Sequence, residues 1–146
     1  MDINAISAIA TSRLSTISVD APFLEAARLL GSGGVRMLVV CGADGQAIGV
    51  LTRTDAMQYL ERGATHLVGV VAELMNVLII SARPSDDLLA TWQMMRARGL
   101  NHVPILDADE RPIGVLTNED ALQALLNSEL YQEHILADYV AGIGYR

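Results

Sequence analysis

The chain has 146 residues, about half of them apolar, and a formal net charge of −7. This length fits one compact unit or two small repeats. The negative charge argues against nucleic-acid binding, which needs a basic surface, and the sequence lacks the run of about 18 apolar residues that predicts a membrane span. The single cysteine, Cys41, excludes an internal disulfide and favours a cytoplasmic location.

The first half of the chain predicts a series of short helices and strands. Ile3, Ile6 and Ile9 recur at helical spacing, which indicates a short amphipathic helix over the first dozen residues. Turn and cap residues then divide the apolar segments. We predict, in order, a strand at 15–19, a helix at 22–30, a glycine-rich turn at 31–34, a hairpin of strands 36–41 and 46–51, and a helix from 52 to about 62.

The second half repeats this order after a linker at 64–76, in which we predict a short helix at 68–75. The predicted elements that follow are a strand at 77–81, a helix from 84 to 99, strands at 102–106 and 112–116, and a helix from 117 to about 127. Pro84 stands three residues farther from Gly99 than Pro22 stands from Gly34, the equivalent glycine of the first half. Beyond the repeat, Ser128 is a candidate cap for a third helix, whose apolar face would include Tyr131, Ile135 and Tyr139.

A repeat of 65 residues relates the two halves. Gly49-Val50-Leu51-Thr52-Arg53-Thr54-Asp55 matches Gly114-Val115-Leu116-Thr117-Asn118-Glu119-Asp120 in one register. We therefore predict an α/β (α+β) fold of two β-α-β-β-α units, at 1–66 and 67–127, with a C-terminal helical tail at 128–146. Because a unit of about 60 residues is marginal alone, the two should pack sheet to sheet with pseudo-two-fold symmetry.

Each copy of the motif allows two interpretations. Threonine is a good helix N-cap, and an aspartate three residues later can accept from the cap's own N–H, so Thr-x-x-Asp can be a capping box alone. Alternatively, the hydroxyl, the carboxylate and the helix N-terminus together can hold a ribose and a phosphate. The glycine inside each strand predicts close approach by another backbone or by a ligand.

This arrangement resembles the cystathionine-β-synthase (CBS) domain pair over about residues 14–127. The resemblance is carried by Gly-Val-Leu-Thr-x-x-Asp at both hairpin ends, by His102-Val103-Pro104-Ile105, and by Val71-Ala72-Glu73-Leu74-Met75. It implies a regulatory module, not an enzyme, that binds AMP, ADP or ATP between its units; NAD and S-adenosylmethionine are less favoured. It also implies a homodimer and a regulated partner protein, whose identity the sequence does not reveal.

The resemblance also assigns roles to individual residues of both copies. It places the ribose on Asp120 and Asp55, and the hydroxyl contacts on Thr117 and Thr52. The adenine wall and its packing residues are Asn101, His102, Val103, Pro104 and Val115 in the second unit, and Arg36, Met37, Leu38 and Val50 in the first. Because Val39 stands where the second unit has Pro104, we expect the first cleft to bind more weakly.

The sequence gives little support for a metal site, a glycine-rich nucleotide loop or a catalytic triad. His66, His102 and His134 lack metal-ligand spacing, and no phosphate loop, dinucleotide loop or Ser-His-Asp order is present. Two functions remain: a nucleotide sensor, and a structural dimerisation module with empty clefts. In either case we expect dimerisation through the two motif helices, which begin at Thr52 and Thr117. Their apolar residues are more than one sheet can cover, and we treat all six as surplus: Ala56, Met57, Leu60, Ala121, Leu122 and Leu125.

Overall fold

The computed structural model describes residues 1–63, 68–78 and 80–128. The described elements are a 3-10 turn at Ile3–Ile6, α1 Ser7–Ser12, β1 Thr16–Ser18, α2 Phe23–Leu30, β2 Met37–Cys41, β3 Ala47–Thr52, α3 Arg53–Glu61, a 3-10 turn at Val71–Glu73, β4 Asn76–Val77, α4 Leu88–Arg98, β5 His102–Leu106, β6 Pro112–Thr117 and α5 Asn118–Leu126. The predicted C-terminal helix, with Tyr131, Ile135 and Tyr139, lies outside the described residues, as do His66 and His134.

The predicted repeat is confirmed in the strand register. β2 pairs antiparallel with β3 through Met37 and Thr52, and β5 pairs with β6 through His102 and Thr117. Both hairpins carry an irregularity at the same repeat position, between Val40 and Cys41 in one and between Ile105 and Leu106 in the other. The two units therefore share the geometry of their hairpins.

Local sequence explains where the second unit's long helix begins and ends. The Asp87 side chain accepts from the Ala90 N–H at 2.9 Å, which caps the start of α4. At the other end Gly99 adopts a left-handed φ of 67°, and the N–H of Leu100 reaches back to the Met95 carbonyl at 2.8 Å. The predicted start at Pro84 is wrong, because α4 begins at Leu88, the repeat position at which α2 begins; its 11 residues against 8 in α2 come from three more residues at its C-terminal end.

The core has three layers that follow from strand alternation. β2 directs Leu38 and Val40 toward the helices of the first unit, and Met37 and Val39 toward the other sheet. Val115 from β6 joins Met37 and Val39 in the central layer. The two sheets therefore pack face to face, as predicted, with the helices of each unit on the outside.

The predicted strand at 77–81 is wrong. Asn76 and Val77 form β4, which runs antiparallel to β3 and extends the first sheet to the order β1-β2-β3-β4. Toward the second unit, Ala82 forms one parallel bridge to Ile105, and no strand is assigned to the described residues between Val77 and Ala82. The linker crosses back to the free edge of β3 before it reaches the second unit, and the predicted linker helix is the short 3-10 turn that precedes this crossing.

The N-terminal segment packs on the second unit, and the linker occupies the matching position on the first. The Ile3 N–H donates to the Asp86 carbonyl at 3.0 Å, and the Val71 N–H donates to the Ala21 carbonyl at 2.8 Å. Asp86 lies 65 positions after Ala21, so both contacts fall on one repeat position. The unit boundaries at 1–66 and 67–127 stay a prediction, although the N-terminal helix contacts the second hairpin.

Two glycines allow these segments to approach. A Cβ added at Gly49 would lie 2.7 Å from the Asn76 carbonyl oxygen, and one at Gly114 would lie 3.0 Å from the carbonyl carbon of Ala10. Both distances are shorter than ordinary packing permits. Of the two explanations that the sequence left open, close approach by another backbone therefore accounts for both glycines.

The motif helices expose fewer apolar residues than predicted. The expectation that all six are surplus is wrong, because Ala56, Ala121 and Leu125 are buried in the cores of their own units. Met57 and Leu60 on α3 remain 58% and 41% exposed. Among the described residues, no helix has the length and apolar character needed to cross a bilayer.

Candidate ligand-binding site

A cavity of about 290 Å³ lies between the two units, beside the N-terminus of α5. Its volume is at the lower end of the range for small-molecule sites. It is lined by the N-terminal segment, the first unit and the second unit together. The lining residues are Arg13, Gly34, Arg36, Met37, Asn101, His102, Val115, Thr117, Asn118 and Glu119.

The second hairpin fixes the polar wall of this cavity. The pairing of His102 with Thr117 places the start of β5 next to the end of β6. The Asn118 N–H donates to the Asn101 carbonyl at 2.9 Å, which ties the first residue of α5 to the strand entry. The Asn118 side chain is held as well, because its Oδ1 accepts from the Trp92 indole N–H at 2.7 Å. The chain thus presents a rigid strand end and helix start to the cavity.

Asp120 is paired with an arginine from outside the repeats. The Arg13 guanidinium donates from Nε to Oδ2 at 3.0 Å and from Nη2 to Oδ1 at 3.1 Å, a two-bond ion pair. The Asp120 side chain is 14% exposed, whereas that of Arg13 is 48% exposed. Hydrogen bonding from Arg13 is the main cause that holds the pKa of Asp120 below its usual range. Thr117 caps the helix by accepting from the Asp120 N–H at 3.0 Å.

The first copy of the motif has a different arrangement. Oδ2 of Asp55 accepts from the Thr52 N–H at 2.9 Å, from the Thr52 hydroxyl at 2.9 Å and from the Asn76 side-chain amide at 2.8 Å. The first contact forms a complete capping box at the start of α3 together with the Asp55 N–H, which donates to the Thr52 hydroxyl oxygen at 3.4 Å. This carboxylate oxygen therefore has three donors from the chain itself, which agrees with the capping interpretation for the first copy.

The cavity gathers six of the residues predicted from the sequence. They are Arg36, Met37, Asn101, His102, Val115 and Thr117. Leu38 and Val103 point their side chains into the helix-side cores, and Pro104 is buried on β5, so these three can offer a ligand only their backbone. Val50, Thr52, Asp55 and Asp120 are partly buried and lie outside the lining of this cavity, although Asp120 is bonded to the lining residue Arg13.

His102 and Arg36 face each other at the cavity wall. Burial is the main cause that lowers the pKa of His102, and the charge of Arg36 lowers it further. The imidazole is therefore neutral at neutral pH and offers one donor and one acceptor. Arg36 is exposed, and no hydrogen bond or ion pair engages its side chain within the described part of the chain. A positive charge is thus available at this wall.

Four lining residues were missed by sequence reasoning. Asn118 and Glu119 lie inside the Thr-x-x-Asp motif, so the motif itself could have indicated them. Gly34 belongs to the glycine-rich turn after α2. Arg13 has no counterpart in the repeat, since position 78 is Leu78, and no local pattern indicates it. Within the described residues, no group of three or more His, Cys, Asp or Glu side chains is arranged to hold a metal ion.

The chain belongs to the CBS domain family. The family's sequence pattern matches twice, at residues 6–62 and 71–127. The two matches correspond to the two structural units and include both copies of the Thr-x-x-Asp motif. CBS domain pairs are generally regulatory modules, and the family resemblance inferred from the repeat is confirmed.

Two curated proteins illustrate the contexts of related sequences. A homoserine O-acetyltransferase from Methanohalobium evestigatum is 25% identical over 115 residues, which cover 79% of this chain and 23% of that protein. This chain therefore spans about a quarter of that enzyme's length, and the match rests on the CBS region of this chain. An uncharacterised 17.7 kDa protein from Acidianus ambivalens is 22% identical, over 95% of this chain and 84% of its own.

Solved structures of CBS domain pairs share the fold. CBSX2 from Arabidopsis thaliana in complex with AMP has a TM-score of 0.72 at 22% identity, and 86% of this chain and 96% of that chain are covered. The MJ0100 domain pair in complex with 5′-methylthioadenosine and S-adenosylmethionine has a TM-score of 0.69 at 21% identity, with 85% and 94% covered. The cytosolic domain of the Mg²⁺ channel MgtE in complex with ATP has a TM-score of 0.65 at 20% identity, with 77% and 45% covered.

Proposed function

We propose that this chain is a regulatory module that binds AMP, ADP or ATP in the cavity beside Thr117 and signals its occupancy to a partner protein. One observation carries the proposal: a cavity between the two units is lined by a capped helix N-terminus, fixed strand ends and Arg13, whose ion-pair partner is the Asp120 carboxylate. The adenosine ligands of structures with the same fold support it. The modest cavity volume favours a mononucleotide over NAD.

The proposed roles follow from the chemistry of each group. Asp120 would accept two hydrogen bonds from the ribose diol. The Thr117 hydroxyl and the Glu119 N–H at the start of α5 would face the phosphate, because a helix start favours anions. Asn101 and His102 would line the adenine, with Val115 beneath it. The homodimer, the cytoplasmic location and the regulated partner remain proposals of the same kind.

A structural role is favoured at the first copy. Oδ2 of Asp55 already has three donors from Thr52 and Asn76. A ligand would have to break a complete capping box to reach it, at a cost of about 1 kcal/mol or more. We therefore propose one nucleotide site, at Thr117, and a helix cap at Thr52. This division assigns one of the two interpretations of the Thr-x-x-Asp motif to each copy.

The test is a thermal-shift and calorimetry series with AMP, ADP and ATP. A ligand at 100 times its dissociation constant stabilises the fold by about 2.7 kcal/mol, which raises the melting temperature by several degrees in a chain of this size. AMP should bind the wild type more tightly than 2′-deoxy-AMP does. In Asp120→Asn the two ligands should bind alike, because the amide has lost the charge and one acceptor that hold the diol.

Asp55→Asn is the matched control. It changes the same residue type at the equivalent repeat position and should leave the preference for AMP over 2′-deoxy-AMP intact, although it weakens the cap of α3. Equal loss of the preference in both variants would contradict a single site. If AMP, ADP and ATP at millimolar concentration leave the wild-type melting temperature unchanged, the sensor proposal fails and the structural module is retained.

A further inference from the structure

The carboxylate proposed to hold ribose already carries a two-bond partner. Arg13 donates to both oxygens of Asp120, at 3.0 and 3.1 Å. A ribose diol would also donate two hydrogen bonds to a carboxylate, so the guanidinium and the diol compete for the same acceptors. Each oxygen can accept further hydrogen bonds on its outer side, but a diol that bridges both oxygens needs the side that Arg13 occupies, so such a ligand must displace Arg13.

The backbone that carries Arg13 is firmly placed, so displacement involves the side chain. The Arg13 N–H donates to the Ile9 and Ala10 carbonyls, both at 3.2 Å, at the end of α1. The Thr11 hydroxyl donates to the Ile113 carbonyl on β6 at 3.1 Å. The long and half-exposed Arg13 side chain can therefore change direction while its helix stays on the second hairpin.

A phosphate bound at the start of α5 would lie close to the displaced Arg13 guanidinium. Asp120 is the third residue of α5, so an anion at the first turn of this helix lies within about one helical pitch of its carboxylate. Arg13 and Arg36 are the cations that line the cavity, and Glu119 is its acidic lining residue. His102 is neutral at neutral pH because burial lowers its pKa.

We propose that Arg13 is a specificity-determining residue that selects ligands carrying both a vicinal diol and a phosphate. This inference rests on the proposed function. A nucleoside displaces Arg13 from Asp120 but has no anionic group, so the guanidinium loses its partner. A nucleoside phosphate takes the same carboxylate and supplies a new bidentate partner for the guanidinium. S-adenosylmethionine has no phosphate and carries a sulfonium cation next to its ribose, which is disfavoured beside Arg13; its carboxylate lies at the far end of the methionine chain.

The experiment is isothermal calorimetry of AMP, adenosine and S-adenosylmethionine with the wild type and with Arg13→Gln. The wild type should prefer AMP over adenosine. In Arg13→Gln, AMP should weaken by about tenfold or more, since a charge-assisted contact is lost. Adenosine should bind as well as before or more tightly, since Asp120 is then free. The ratio of AMP affinity to adenosine affinity should therefore fall, because AMP binds more weakly and adenosine binds as well as before or more tightly.

Arg36→Gln is the matched control because it removes the other cation of the cavity lining, which has no partner within the described residues. It should weaken AMP without improving adenosine. Arg13→Lys keeps the charge but loses the two-bond geometry, and should fall between wild type and Arg13→Gln. Circular dichroism and the ligand-free melting temperature establish that each variant is folded.

The outcomes separate this inference from the proposed function. If AMP binds the wild type and Arg13→Gln leaves the ratio of AMP to adenosine affinity unchanged, Arg13 does not select and the proposed function survives. Parallel weakening of both ligands would overturn the inference in the same way, since Arg13 then only supports the site. If neither AMP nor adenosine binds the wild type, the proposed function and this inference are overturned together.

Discussion

The approach of α1 to the second hairpin can be tested at Gly114. In Gly114→Ala the new Cβ would lie 3.0 Å from the carbonyl carbon and 3.1 Å from the Cβ of Ala10. These atoms belong to a helix, so relief requires the whole segment to move. Overpacking of this kind costs about 1–3 kcal/mol, and the gain from a less flexible unfolded chain offsets at most about 1 kcal/mol of it.

Gly→Ala substitutions at two further positions provide a comparison for the destabilisation at Gly114. At Gly49 the new Cβ would lie 2.7 Å from the Asn76 carbonyl oxygen, so Gly49→Ala should cost more than Gly114→Ala. At Gly42 the nearest atom is Asp44 Oδ1 at 3.5 Å, an ordinary contact, so Gly42→Ala should be close to neutral. The predicted order of destabilisation is therefore Gly49→Ala, then Gly114→Ala, then Gly42→Ala.

Urea unfolding followed by circular dichroism measures these differences. A loss of about 1–2 kcal/mol at Gly114 should lower the melting temperature by roughly 2–8 °C in a chain of this size. Since Arg13 follows Ala10 by one helical turn, the same variant should also weaken AMP binding. If Gly114→Ala is as stable as Gly42→Ala, α1 does not pack against β6 as described.

Two further predictions concern acid stability and assembly. Arg13 holds the pKa of Asp120 below its usual range, so the pair stabilises the fold above about pH 4, and this contribution is lost as the pH falls through the folded-state pKa. Melting curves between pH 7 and pH 3 should therefore decline less steeply in Arg13→Gln than in the wild type; equal slopes would contradict the ion pair. For assembly, light scattering at micromolar concentration should give a dimer mass, and Met57→Glu should reduce it while the equally charged Gln58→Glu does not. A monomeric wild type would remove the dimer proposal.

Local signals explain why the element order could be predicted. The threonine caps, the turn glycines and the 65-residue repeat each act over a few residues, and they placed every helix of the two units. Residues 77–81 have equally strong strand propensity, yet Val77 pairs with Gly49 and the Leu78 N–H donates to the Ile48 carbonyl, both in the first unit. Propensity states that a segment is extended, whereas the choice of partner edge depends on the path of the linker.

The site was predictable only as far as the motif reaches. The motif and its neighbouring strand indicated Thr117, Asn101 and His102, which line the cavity. Arg13 comes from a segment whose repeat equivalence is shifted, since Ile3 matches Val71 at 68 residues and not at 65. A search for the 65-residue repeat alone therefore does not align the N-terminal segment, which contains Arg13, the partner of Asp120.

The shifted equivalence also explains why two copies of one motif can differ in function. The segment that covers each hairpin delivers a different side chain to the aspartate: the linker brings the Asn76 amide to Asp55, and the N-terminal segment brings Arg13 to Asp120. The amide adds a third donor to an oxygen that already belongs to a capping box, which stabilises a closed cap. The Arg13 guanidinium holds both oxygens of Asp120, and because it is charged it can move to another anion. We infer that the covering segments, more than the motif itself, decide which copy stays a cap and which can exchange its partner for a ligand.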